Sequence, residues 1–190
     1  MKKLIVLLAL AAMSTGAFAQ QWSFGPKAGV NFSNVSDLDG GDTKMMTGFY
    51  VGAFAEYRLN YWFGLQAEAV YSTQGTKFNT SPLKWELKQD YINVPILAKF
   101  YVLNSLSVDF GPQFGFKVSD KAKLKTGSTT TDFSTDTKGF DLSVGMGLTY
   151  TLVDRLDISA RYNLGLTDTY GNIGGTNRNG VIQVGLGYRF

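Results

Sequence analysis

The sequence predicts an all-β protein, an eight-stranded antiparallel up-and-down transmembrane β-barrel. Three observations predict it. Apolar and polar residues alternate with period two through eight segments. The connections between the segments alternate long and short. One face of every segment lacks charge while the other collects Asp, Glu, Lys and Arg. Period-two alternation marks a strand because successive side chains point to opposite faces.

The pattern is cleanest from Gly139 to Leu166. Phe140, Leu142, Val144, Met146, Leu148, Tyr150 and Leu152 alternate with Asp141, Ser143, Gly145, Gly147, Thr149 and Thr151. After Val153-Asp154 the pattern returns, with Leu156, Ile158, Ala160, Tyr162, Leu164 and Leu166 on one face. The link is too short for a helical crossover, so the pair is an antiparallel hairpin. Each run exceeds the usual soluble strand of about five or six residues. Each reaches the roughly nine to eleven tilted residues that cross a bilayer.

The chain begins with an export signal: basic Met1-Lys2-Lys3, an apolar core from Leu4 to Ala12, and a small-x-small site at Ala17-Phe18-Ala19. Cleavage between Ala19 and Gln20 divides residues 1–19 from a barrel domain over 20–190. No cysteine follows the apolar core, which excludes a lipid-anchored lipoprotein. No later stretch is long and apolar enough for a helical span. Mean hydropathy sits near zero, as expected when the two faces of each strand cancel. The 22 glycines and 14% aromatic content exceed soluble usage. A net charge of +3 with interspersed signs leaves no nucleic-acid footprint.

In order, the predicted strands are 22–33, 47–59, 63–72, 89–102, 106–119, 140–152, 156–167 and 180–190. Asn34–Met46, Gln74–Lys88, Asp120–Lys138 and Asp168–Asn179 read as long connections; Trp85 and Leu87 hint that the strands around the second run on past the membrane. The other links are tight turns, at Asn60-Tyr61, Leu103-Asn104-Ser105 and Val153-Asp154. Bacterial outer-membrane barrels have short periplasmic turns and long outer loops, which puts both termini in the periplasm. Tyr57, Trp62, Tyr101, Tyr150 and Tyr188 lie at the short-turn ends, where an aromatic girdle is expected. Pro26, Pro95 and Pro112 fall inside strands and remove ladder donors, so bulges are expected there.

Two assignments of the faces compete. A soluble lipocalin-like barrel would bury its apolar face and bind a ligand within. A membrane barrel turns it outward. The charges decide for the second, because Arg or Lys facing lipid at the midplane costs about 2–4 kcal/mol. The inward charged set is Lys27, Glu56, Arg58, Glu68, Lys99, Asp109, Lys117, Asp141, Asp157, Arg161 and Arg189. Eight strands leave a lumen just wide enough for side chains. Buried charges must be paired, so a salt-bridge network around Glu68, Lys99, Asp109 and Arg161 is expected rather than an open pore.

Tyr91-Ile92-Asn93-Val94-Pro95-Ile96-Leu97-Ala98-Lys99-Phe100-Tyr101 resembles the PorT-like outer-membrane β-barrel family of Gram-negative bacteria. Gly25–Ser33 and Val184–Phe190 fit the same family. The resemblance implies an integral outer-membrane barrel, and, through the family's namesake, a part in protein secretion. The closing strand, with Tyr188 and terminal Phe190, is similar to the signal read by barrel-assembly machinery.

The sequence contains no histidine and no cysteine, so Ser-His-Asp and Cys-His catalysis are impossible. Small barrel acyltransferases and lipid A deacylases rely on histidine, and the resemblance to them fails. Asp37, Asp39 and Asp42 lack the spacing and terminal Glu of an EF-hand. Gly171–Gly175 opens no helix and is not a phosphate loop. The expectation is a non-enzymatic monomer without cofactor or metal. Its expected partners are outer-membrane lipid, lipopolysaccharide and the assembly machinery. A surface-interaction role leads, and a narrow channel or secretion component is the alternative.

Overall fold

The computed structural model describes residues 21–36, 43–44, 46–80, 83–126, 129–133, 139–153, 155–167 and 178–190. The export signal with Ala19 and Gln20, the aspartates at 37, 39 and 42, and Gly171–Gly175 lie outside the described residues.

Among the described residues ten strands form one antiparallel sheet. They are β1 (Trp22–Ser36), β2 (Thr43–Lys44), β3 (Met46–Arg58), β4 (Phe63–Thr80), β5 (Leu83–Leu103), β6 (Leu106–Thr126), β7 (Thr129–Phe133), β8 (Phe140–Leu152), β9 (Leu156–Gly165) and β10 (Arg178–Tyr188). Eight of them close a barrel in the order β1-β3-β4-β5-β6-β8-β9-β10, with β10 pairing back onto β1. β2 and β7 are short additions that pair with the far ends of β4 and β6. Closure leaves the eight barrel strands without an edge strand, which a sheet in hydrocarbon requires because no water is there to bond a free N–H or C=O.

The alternation read from the sequence governs burial. Along β9 buried Asp157, Ser159, Arg161 and Asn163 alternate with outward Ile158, Ala160, Tyr162 and Leu164. Lys99 is 1% exposed while Met146 is 60% exposed. The outward rows of the eight barrel strands, from the turns to about the level of Tyr71 and Ile92, hold no charged residue. The lipocalin-like alternative fails here: that barrel needs an apolar interior, and this one buries Lys27, Glu56, Glu68, Lys99, Asp109, Asp157 and Arg161.

Three expectations are corrected. The Gln74–Lys88 and Asp120–Lys138 connections are largely strand among the described residues: β4 and β5 stay paired up to Thr80–Leu83, as Trp85 and Leu87 hinted, and β6 and β7 up to Thr126–Thr129. Their Thr, Ser and Gly content resembles a loop, but their described residues pair in ladders. Pro26, Pro95 and Pro112 carry no bulge. Pro95 lies where the β4–β5 ladder skips two pairs, Pro112 where the β5–β6 ladder does the same, and Pro26 just past the last β1–β10 pair. Each missing N–H costs one ladder locally, and the register on both sides is unchanged. The register shifts in β5–β6 fall elsewhere, at Asp90/Tyr91 and Tyr101/Leu103. Third, Tyr101 leaves the girdle and turns into the lumen. Trp62, Tyr150 and Tyr188 remain exposed at that end, and Tyr57 packs tilted against Trp22 with ring centroids 4.9 Å apart.

The short turns are locally encoded. The Asn60 side-chain carbonyl accepts from the backbone N–H of Trp62 (3.0 Å) and Phe63 (2.7 Å), fixing the β3–β4 reversal. Val153 takes φ = 49° in the β8–β9 turn, a conformation a β-branched residue adopts only when its surroundings impose it.

Candidate functional site

The candidate site is the barrel interior, to which every barrel strand contributes. Its centre is Glu68 on β4. Arg161 of β9 clamps it with two hydrogen bonds, Nη1 to Oε2 at 3.1 Å and Nη2 to Oε1 at 2.7 Å. In the closed order β4 and β9 are four strands apart either way round, so this clamp spans the barrel's diameter. Lys27 of β1 donates to the same carboxylate at 3.0 Å, and Gln66 donates at 2.6 Å.

A second cluster lies nearer the short turns. Lys99 of β5 stands 3.6 Å from Glu56 and 3.7 Å from Asp109, its register partner on β6. Asp109 also accepts from Ser107 (2.7 Å) and Thr149 (2.5 Å). Arg189, just past β10, bridges Glu56 at 3.1 Å and Asp157 at 2.8 Å. The Tyr101 hydroxyl donates to Glu56, and Thr151 donates to Asp157. The Arg58 guanidinium covers the Tyr101 ring at 3.7 Å near the short turns. The Gln66 amide joins the two clusters: its carbonyl accepts from Lys99 at 3.0 Å while its NH2 donates to Glu68.

Eight of the eleven predicted lumen charges therefore lie in one linked network: Lys27, Glu56, Glu68, Lys99, Asp109, Asp157, Arg161 and Arg189. The other three are placed nearer the ends of the barrel strands. Arg58 sits at the mouth, Lys117 is half-buried on β6, and Asp141 accepts from the Thr167 hydroxyl. Above the ions is a neutral relay in which Asn163 donates to Gln183, Gln183 to Asn31, and Asn31 to Ser72, at 2.7–3.0 Å.

Sequence reasoning missed the neutral half of the site. Gln66, Tyr101, Ser107 and Thr149 complete the carboxylate shells, and nothing in period-two alternation separates them from other inward polar residues. Tyr50 and Phe54 fill the remaining width. A Cβ at Gly185 would lie 2.1 Å from the Tyr50 hydroxyl, and one at Gly29 2.7 Å from its ring, so these glycines make room for that ring. The void left beside Lys27, Gln66, Lys99 and Asp157 is no larger than about one water molecule. Among the described residues no group of His, Cys, Asp or Glu is placed to hold a metal ion.

A closed antiparallel barrel with a charged, packed interior and an apolar exterior defines an integral membrane protein of the outer-membrane type. Residues 18–171 match the outer membrane protein beta-barrel domain family, and the chain belongs to it. Its fold is similar to that of Neisserial surface protein A, with 18% identity over 88% of this chain and 97% of that one, and a TM-score of 0.58. It is also similar to Ail, the attachment invasion locus protein of Yersinia pestis, solved with the heparin analogue sucrose octasulfate. There the identity is 19% over 90% and 99% of the two chains, with a TM-score of 0.56. Acinetobacter baumannii CarO matches at 12% identity over 86% and 97%, with a TM-score of 0.52. These identities speak for the fold alone. No curated protein matches the chain.

Proposed function

We propose that this is a closed surface barrel, a membrane-anchored platform that meets partners at its long-strand end and does not conduct. The observation that carries this reading is the Lys99–Gln66–Glu68–Arg161 chain, which crosses the lumen with its three ionic side chains only 1–4% exposed. An ion entering would have to break pairs held in a low-dielectric interior, each of which costs several kcal/mol to separate, on the order of 3–5.

The same reading covers biogenesis. The chain is cut between Ala19 and Gln20, both mature termini stay in the periplasm, and assembly machinery reads Tyr188 and Phe190. The product is a non-catalytic monomer set among lipopolysaccharide. Planar-bilayer recording of the purified mature barrel tests closure. The expected result is no stable unitary conductance; steady steps would favour the channel or secretion role that the PorT-like resemblance implies. Orientation is tested with single cysteines, which a chain lacking native cysteine allows. On intact cells an impermeant maleimide should label Thr80→Cys and spare Tyr61→Cys.

A further inference from the structure

We propose that the sheet built by the far ends of β4, β5, β6 and β7 binds the phosphate groups of outer-leaflet lipopolysaccharide. A ladder of lysines is placed on its lipid-side row by a single β-bulge. The proposal rests on the orientation argued above, with the long strands outside the cell.

Backbone register carries the inference. On β4 the outward row Leu65, Ala67, Ala69, Tyr71 continues through Thr73 and Gly75 to Lys77 and Asn79. Lys88 pairs with Gly75 and Lys121, and Lys84 pairs with Asn79 and Lys125. Lys44 of β2 pairs with Lys77. Glu86 pairs with Lys77 and Lys123, and Lys123 with Asp132 of β7. Seven lysines thus share this row family with three acids, Asp90, Glu86 and Asp132.

The bulge decides the face. Tyr91 pairs with Lys117 but Asp90 pairs with Ser119, which leaves Val118 as an extra residue in β6. One inserted residue flips the face of everything beyond it. Without it, Lys121, Lys123 and Lys125 would continue the inward row of Gln113 and Gly115. With it, Leu124 joins Trp85 and Phe78 on the inner row, and the lysines join the outward one.

Two features select an anion. Like charges directly opposite in a ladder are destabilising, and here Lys44–Lys77, Lys84–Lys125 and Lys88–Lys121 are all opposite pairs. A bound phosphate relieves each of them. Height selects the source. Lys88 and Lys84 lie four and eight residues beyond Ile92 on β5. With a rise near 3.3 Å and a tilt near 40°, that is ~10–20 Å above the apolar belt. This is the level of the phosphorylated headgroups of the surrounding leaflet. Continuity with the lipid-side row places these register positions on the lipid face rather than at the lumen mouth.

The test uses the mature barrel in nanodiscs. Its probes are lipopolysaccharide with intact phosphates, the same lipid enzymatically dephosphorylated, inorganic phosphate, and sucrose octasulfate. Binding to the intact lipid should fall at least tenfold on dephosphorylation and weaken steeply with salt. It should also fall at least tenfold in K84Q/K88Q/K121Q/K125Q. Deleting Val118 keeps every lysine yet should mimic that variant. If the deletion does not yield a heat-modifiable barrel, the four-fold variant decides alone. Equal binding by parent and four-fold variant, or indifference to lipid phosphate, overturns the proposal. So does tighter binding of sucrose octasulfate or free phosphate than of the lipid. The binding assay is blind to orientation, so failure of the cysteine-labelling experiment remains a separate result.

Discussion

Glu68 accepts four hydrogen bonds from three side chains, and two of those side chains are cations. Removing its charge leaves Lys27 and Arg161 buried without their counter-ion, so Glu68→Gln should destabilise the barrel by about 3–5 kcal/mol. Urea titration in lipid vesicles measures this, and an unchanged midpoint would show that water reaches the site. Gln66→Leu is expected to cost less, about 1–3 kcal/mol, because it orphans hydrogen bonds while each ion keeps an ionic partner. That these residues face inward was legible in their alternation. Who meets whom was not. Arg161 and Glu68 are 93 residues apart and belong to strands on opposite walls. Only closure and tilt bring them together, and neither leaves a local signature.

At the scale of the element, strand number and phase were readable because lipid tolerates no charge on the outward row. The far ends of β4, β5 and β6 leave the apolar belt, where that constraint lapses, so Gln74–Lys88 and Asp120–Lys138 looked like loops, with Trp85 and Leu87 alone hinting at strand, although their described residues are paired. Pro95 and Pro112 misled for a different reason. A bulge is one answer to a missing N–H; here each strand keeps pairing on its other side and skips two pairs on one. The C-terminus supplies a prediction for a whole strand. The Phe190 N–H donates to the Phe24 carbonyl at 2.9 Å and its ring meets Tyr188 edge-on at 5.2 Å, so it closes the seam between the first and last strands. Deleting Phe190 should reduce the folded, heat-modifiable form in outer membranes. Equal amounts from mutant and parent cells would count against its role in assembly.

For the whole molecule, the arrangement inverts a soluble barrel: ions and amides fill the centre, and leucines, valines and aromatics form the exterior. The two arrangements predict opposite responses to a charge placed outside. Met146 is 60% exposed midway along β8, between Gly145 and Gly147 of the inward row. In water an arginine there would be solvated and nearly silent. In a bilayer it sits near the midplane, where Met146→Arg should cost about 2–4 kcal/mol. The penalty should shrink toward the interface, so Leu152→Arg, at the short-turn end of the same strand, should cost about 0–1 kcal/mol. Unfolding in vesicles measures both. A depth-dependent penalty follows only if the apolar wall touches acyl chains, and a flat response along β8 would require the faces to be reassigned.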